Sequence, residues 1–151
     1  MPIWTIFRIS KTKLEQKAAW HELSRRMEAL FLPKDYDDPV LGKKRLIVIQ
    51  TVYFISSADE KFCSRMVLLL NSTPIRAFIK SFAERAMGGY FRHISWTVGL
   101  VPIPNLIDEL PLNLKDPVKI NEVVSKIHRL SAEETKAISD YDSFIEKEVT
   151  K

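Results

Sequence analysis

A single cysteine, Cys63, excludes an internal disulfide and so a disulfide scaffold, and is compatible with a reducing compartment; the residue itself reads as a small core side chain. Glycine is scarce: the four present form neither a phosphate-binding loop nor a dinucleotide loop. The three histidines, His21, His93 and His128, have no cysteine or histidine at metal-ligand spacing, and no metal is assigned. No apolar run is long enough to cross a bilayer, and the first residues lack the basic-apolar-cleavage pattern of a leader. The expectation is a cytoplasmic protein with no membrane partner. Repeats and low-complexity tracts are missing too. What remains is a chain of 151 residues, 46% hydrophobic, which suffices for one compact domain with a sizeable core.

Charge is unevenly spread. Residues 1–100 carry 16 Lys or Arg against 9 Asp or Glu, whereas residues 101–151 carry 7 against 10. A basic front suits an anionic partner. The acidic group Asp35, Asp37 and Asp38 lies between Pro33 and Pro39 and reads as solvated turn chemistry rather than a cation site. Glu134 and Lys136, an echo of a nuclease pair, read as an ordinary exposed helix pair.

The hydrophobic pattern predicts a mixed architecture. Ile3 to Ile9 reads as a strand. Thr12 and Glu15 propose a capping box, followed by a helical stripe of Leu14, Ala18, Leu23, Met27 and Leu30 with a break near Trp20. Pro33 to Lys44 reads as a polar loop, and Leu46 to Ile55 as a buried strand or hairpin. Residues 59–70 change to a helix with Phe62, Met66, Leu69 and Leu70 inward. Asn71 and Ser72 then break the pattern before a helix capped by Thr73 and opened by Pro74. That second helix runs to Gly88 and Gly89, with Ile75, Phe78, Ile79, Phe82 and Ala86 on the core side. Arg76, Lys80, Glu84 and Arg85 share its turns. Tyr90 to Ile94 is the next strand, with Phe91 and Trp96 as core residues. Asp116 and Pro117 open a further helix, and Ser131 with Glu134 forms a second capping box leading into a helical tail. Strands and helices mix without regular alternation, so the fold class is α+β, one domain with a mixed sheet and packed helices. Residues 1–115 form its core and residues 116–151 a C-terminal helical segment of the same domain.

Leu70-Asn71-Ser72, the Phe-rich helix, Gly88-Gly89-Tyr90-Phe91-Arg92 and Val101-Pro102-Ile103-Pro104 follow one another in a fixed order. In this order the sequence resembles the TaqI-like C-terminal specificity domain of adenine-specific DNA methyltransferases from restriction-modification systems. The likeness spans roughly residues 1–130. It departs where members often carry an arginine directly before the paired glycines: here Ala86-Met87 precedes them and Arg85 lies further back.

The resemblance implies a target-recognition domain that reads duplex DNA for a separate catalytic domain. That partner would bind S-adenosylmethionine and flip the adenine; this chain has no Asn-Pro-Pro sequence and no cofactor loop of its own. As DNA contacts, Lys43, Lys44, Arg45, Arg76 and Lys80 are expected at phosphates, with Arg85 as the nearest basic residue before the glycines. Gly88 and Gly89 let backbone amides come close, Tyr90 offers a hydroxyl to a phosphate, and Arg92 with His93 reaches a base edge. Pro102 and Pro104 stiffen the exit from the sheet. The rival reading is a protein-interaction module that docks a partner through its C-terminal helices.

Overall fold

Residues 14–48 and 51–149 are described by the computed structural model, which runs β1 (Gln16–His21), β2 (Leu23–Ser24), β3 (Ala29–Leu32), β4 (Asp35–Asp38), β5 (Gly42–Arg45), β6 (Val52–Ser57), α1 (Glu60–Asn71) and α2 (Thr73–Phe82). It continues through β7 (Glu84–Ala86), β8 (Tyr90–Arg92), α3 (Ser95–Gly99), α4 (Pro117–Ile127) and α5 (Ala132–Val149). The class is α+β. The strand read from Ile3 to Ile9, and Thr12 of the first capping box, lie outside the described residues.

The main sheet is antiparallel in the order β3-β1-β6, with Trp20 of the central strand opposite Ala29 on one side and Tyr53 on the other. This corrects the helix expected between Thr12 and Leu30. Lys17, Ala18, Ala19 and Trp20 are all buried, because β1 is covered on both faces and so lacks the alternation that marks a half-exposed strand. Leu23 and Leu30, members of the expected helical stripe, are exposed. Lys17 lies fully inside this strand, and its ammonium donates to the carbonyls of Glu15 and Leu46. Burial lowers its pKa.

The expected polar loop from Pro33 to Lys44 is instead a two-stranded ribbon, β4 with β5, in which Asp35 faces Arg45 and Asp37 faces Lys43. Complementary charges across the ladder favour pairing. The Asp38 carboxylate accepts from the amides of Val40 and Leu41, which closes the turn before Gly42 at φ 68°. The strand read over Leu46 to Ile55 begins only at Val52; residues 46–48 are irregular, and residues 49 and 50 are not described.

Helix α1 matches its sequence signal. Asp59 caps it by accepting from the Lys61 amide, while Met66, Leu69 and Leu70 are buried against the main sheet and Phe62 is half-buried. Asn71, the last residue of α1, ties the helix to β3. Its side-chain amide accepts from Ala29 N–H at 2.9 Å and donates to Ala29 C=O at 2.8 Å. Both backbone groups of a strand residue are thus satisfied by a helix terminus. Ser72, not Thr73, is the N-cap residue of α2, and its hydroxyl points back to Leu69 C=O. The Thr73 amide is taken instead by Asn121 of α4, at 2.8 Å.

Helix α2 stops at Phe82 rather than at the glycines, since Ala83 is already extended. Glu84–Ala86 leaves the helical pattern to pair with Tyr90–Arg92 around a three-residue turn. Trp96 is 56% exposed on α3, which corrects its assignment to the core, whereas Phe91 is buried as expected. The Pro102 and Pro104 segment follows α3 and not a strand. In the tail, Asp116 caps α4 through the Val118 amide. The Ser131–Glu134 capping box is formed in both directions, at 2.7 and 3.2 Å, at the start of α5. Helices α4 and α5 both pack on α2, and among the described residues no helix is long and apolar enough to cross a membrane.

Candidate nucleic-acid interface

The residues that carry the functional expectation fall into three places. The first is a small antiparallel sheet in the order β2-β8-β7. Its hairpin closes through Met87–Gly89, where Gly88 and Gly89 have φ of 73° and 75°. Two successive left-handed residues are cheap only for glycine. The pair therefore builds a tight hairpin turn, not a helix stop, and it thrusts Met87 outward at 95% exposure.

Alternation along the strands then sorts the side chains. Phe91, opposite Arg85 and Ser24, turns inward and is buried. Arg92, opposite Leu23 and Glu84, and Tyr90, opposite Ala86, turn outward. Arg25, just beyond β2, lies over the Tyr90 ring with its guanidinium carbon 5.4 Å from the centroid. Such a stack fixes a cation against an aromatic face without consuming its outward donors. Arg92 reaches Glu22 at 3.3 Å and Glu84 at 3.9 Å. Both are exposed pairs of the kind that contributes little, so an incoming phosphate or guanine edge can exchange with them. Arg85 sits over the Phe91 ring at 6.0 Å and stays exposed. Gly88, Gly89, Tyr90, Arg85 and Arg92 are thus brought together on one hairpin.

The second place is the β4–β5 ribbon. Lys43 and Arg45 both pair with Asp35, at 3.4 and 3.1 Å, so the basic strand is largely answered by its acidic neighbour. Lys44 projects on the other face of the ribbon, beside Tyr36. All three basic side chains of the expected cluster stay exposed, two of them sharing the Asp35 carboxylate in surface pairs.

The third place is the interior, and it holds three expected contacts that the fold withdraws from solvent. Lys80 is 4% exposed, with its ammonium 2.6 Å from Asp142 and 3.4 Å from Glu146 of α5. It belongs to the α2–α5 seam, not to a basic outer face. Arg76 is half-buried, donating to Met27 C=O at 2.9 Å and reaching Asn71 Oδ1 at 3.4 Å. Burial lowers its pKa to about 10. His93 is fully buried beside Phe91, and burial pushes its pKa down to about 4, so the ring is neutral at pH 7. Its carbonyl accepts from Trp20 Nε1 at 2.7 Å and its amide donates to Glu22 C=O at 2.6 Å, which ties the small sheet to the main one. Lys80 and His93 are thus withdrawn from the surface, whereas Arg76 is only partly so.

Arg25 is an addition to the expected contacts. A helical reading of residues 12–30 hides the strand that places it beside Tyr90; the only local signal is the Arg25-Arg26 pair. No protein-family model matches the chain, and no curated protein or solved structure matches it either.

Proposed function

We propose that the chain is a DNA target-recognition domain, serving an adenine-specific methyltransferase of a restriction-modification system in the cytoplasm. The observation that carries the reading is the outer face of the β2-β8-β7 sheet. There Arg25 stacked on Tyr90 stands next to Arg92, at the end of a narrow glycine-turned hairpin. A two-stranded ribbon is slender enough to enter a major groove, and an arginine can make a bidentate contact to guanine there. In this reading Arg25 meets a phosphate on the outer face, and Arg85, exposed on the edge strand β7, meets another. Tyr90 orients Arg25, and Arg92 leaves its glutamates for a base edge. The motif order from Leu70 to Pro104 supports the assignment to the specificity-domain class. Catalysis, S-adenosylmethionine and base flipping belong to the partner catalytic domain.

The test is fluorescence anisotropy of the chain with a randomised duplex pool at low and moderate salt, sequencing the bound fraction. Salt-dependent binding with an enriched short motif supports the reading. Absence of binding even at low salt overturns it.

A further inference from the structure

Between α2 and α5 runs an open groove of about 420 Å³, walled on one side by Pro74, Ala77, Phe78 and Ser81 and on the other by Ile138 and Tyr141. The apolar strip continues past it on both walls. Phe82, one turn beyond Phe78 with ring centroids 5.1 Å apart, is 50% exposed; Phe144, one turn beyond Tyr141, is 59% exposed. Exposed aromatics aligned on two neighbouring helices are what an interface core looks like before its partner arrives.

Charge says which partner. On α5, Glu133, Ala137, Asp140 and Phe144 follow at spacings of four, three and four, so they share one crest along the outer lip of the groove. Glu133 and Asp140 are exposed and enter no ion pair among the described residues. Lys136, one turn before Asp140, lines the neighbouring depression, which Asp140 also lines, so Asp140 stands on the crest between the two. The α2 wall carries no charge at all, because Arg76 and Lys80 are turned inward. The groove therefore has an aromatic side chain in each wall and an acidic lip.

We infer that this groove docks a basic amphipathic helix of a partner protein, its apolar side chains between Phe78 and Tyr141 and its lysines or arginines along Glu133 and Asp140. This is the helix-in-groove mode, in which anchors at three- and four-residue spacing fill the cleft. None of the residues proposed to meet DNA lines this groove, although α5 also touches the Met87–Gly89 turn.

The experiment titrates the full chain into a fluorescent Leu/Lys amphipathic helical peptide of about 14 residues, roughly 21 Å long. Its Leu/Glu counterpart is the comparison. Saturable one-to-one binding of the Leu/Lys peptide, at least about tenfold tighter than the Leu/Glu peptide, is expected. The Tyr141→Ala/Phe144→Ala chain should weaken it by about tenfold or more, and Glu133→Gln/Asp140→Asn should weaken it while lowering its salt dependence. These residues are on the surface, and an unchanged thermal melt checks that each variant is folded. Equal binding of the two peptides, or unchanged binding by the aromatic variant, overturns the proposal. So does concentration-dependent self-association that Phe144→Ala abolishes, because the occupant would then be a second copy.

Discussion

The ammonium of Lys80 lies 2.6 Å from the Asp142 carboxylate, and both side chains are almost entirely withdrawn from solvent. An ion pair so placed joins α2 to α5 across 62 residues of sequence. Removing one partner leaves the other charge buried and unanswered, which costs about 3–5 kcal/mol. Lys80→Ala should therefore lower the urea midpoint sharply, while Lys80→Met combined with Asp142→Leu should recover most of the loss. A Lys80→Ala chain as stable as the original would contradict the buried pairing. The same variant is a poor probe of DNA contact, because it acts through the fold.

His93 makes stability depend on pH in a definite direction. Its pKa is about 4 when folded and near 6.5 when unfolded, so between these values the unfolded chain takes up the proton and the folded chain does not. The contribution is complete above about pH 6.5 and is lost as pH falls towards 4, by roughly 3 kcal/mol. His128, also lowered by burial, acts in the same sense. Urea unfolding at pH 7 and pH 4.5 should show this loss, and His93→Leu should flatten the slope between the two pH values whatever it does to stability at neutral pH. An unaltered slope in that variant would place the titration elsewhere.

At the hairpin turn, Gly88 and Gly89 both hold left-handed backbone. A Cβ on Gly88 would meet only the edge of the Tyr90 ring, at 3.5 Å, so the cost of Gly88→Ala is conformational and amounts to about 1 kcal/mol. Gly88→Asn should cost less, since asparagine tolerates this region better. Thermal melts of the two variants should rank in that order; the reverse order would mean the turn is not left-handed in solution.

Asn71→Ala strips Ala29 of both its side-chain partners. Leaving part-buried backbone groups unpaired should cost about 1–3 kcal/mol. Hydrogen exchange at the Ala29 amide is the direct readout, with faster exchange expected in Asn71→Ala than in the original chain.

Much of the helical half is legible in the sequence because its signals are local. Asp116 and the Ser131–Glu134 pair cap helices where their spacing places them, and Met66, Leu69 and Leu70 face the core as their periodicity requires. The β half is harder for a physical reason. Lys17 to Trp20 is buried on both faces, so no alternation announces it, and its pairing with Val52–Ser57 is fixed by residues more than thirty positions away. Ala83 to Ala86 has good helix formers, yet Glu84–Ala86 pairs in a hairpin because two glycines make the turn. The same limit reaches the site. Periodicity alone puts Lys80 and Arg76 on an exposed basic face, and only tertiary packing turns them inward. Tyr90 and Arg92 are legible from the glycine pair, whereas Arg25 needs the strand register to be seen.

The measurement that bears most directly on the DNA-recognition reading is the salt dependence of duplex binding by the original chain and by Arg25→Ala/Arg92→Ala, with Lys44→Ala as comparison. The double variant is expected to lose affinity, and the magnitude of its log–log salt slope to fall by about 1 for each lost phosphate contact. It should also lose whatever short motif the original chain enriches. Equal affinity, equal slope and equal enrichment in the double variant would contradict the assignment of the β2-β8-β7 face to DNA.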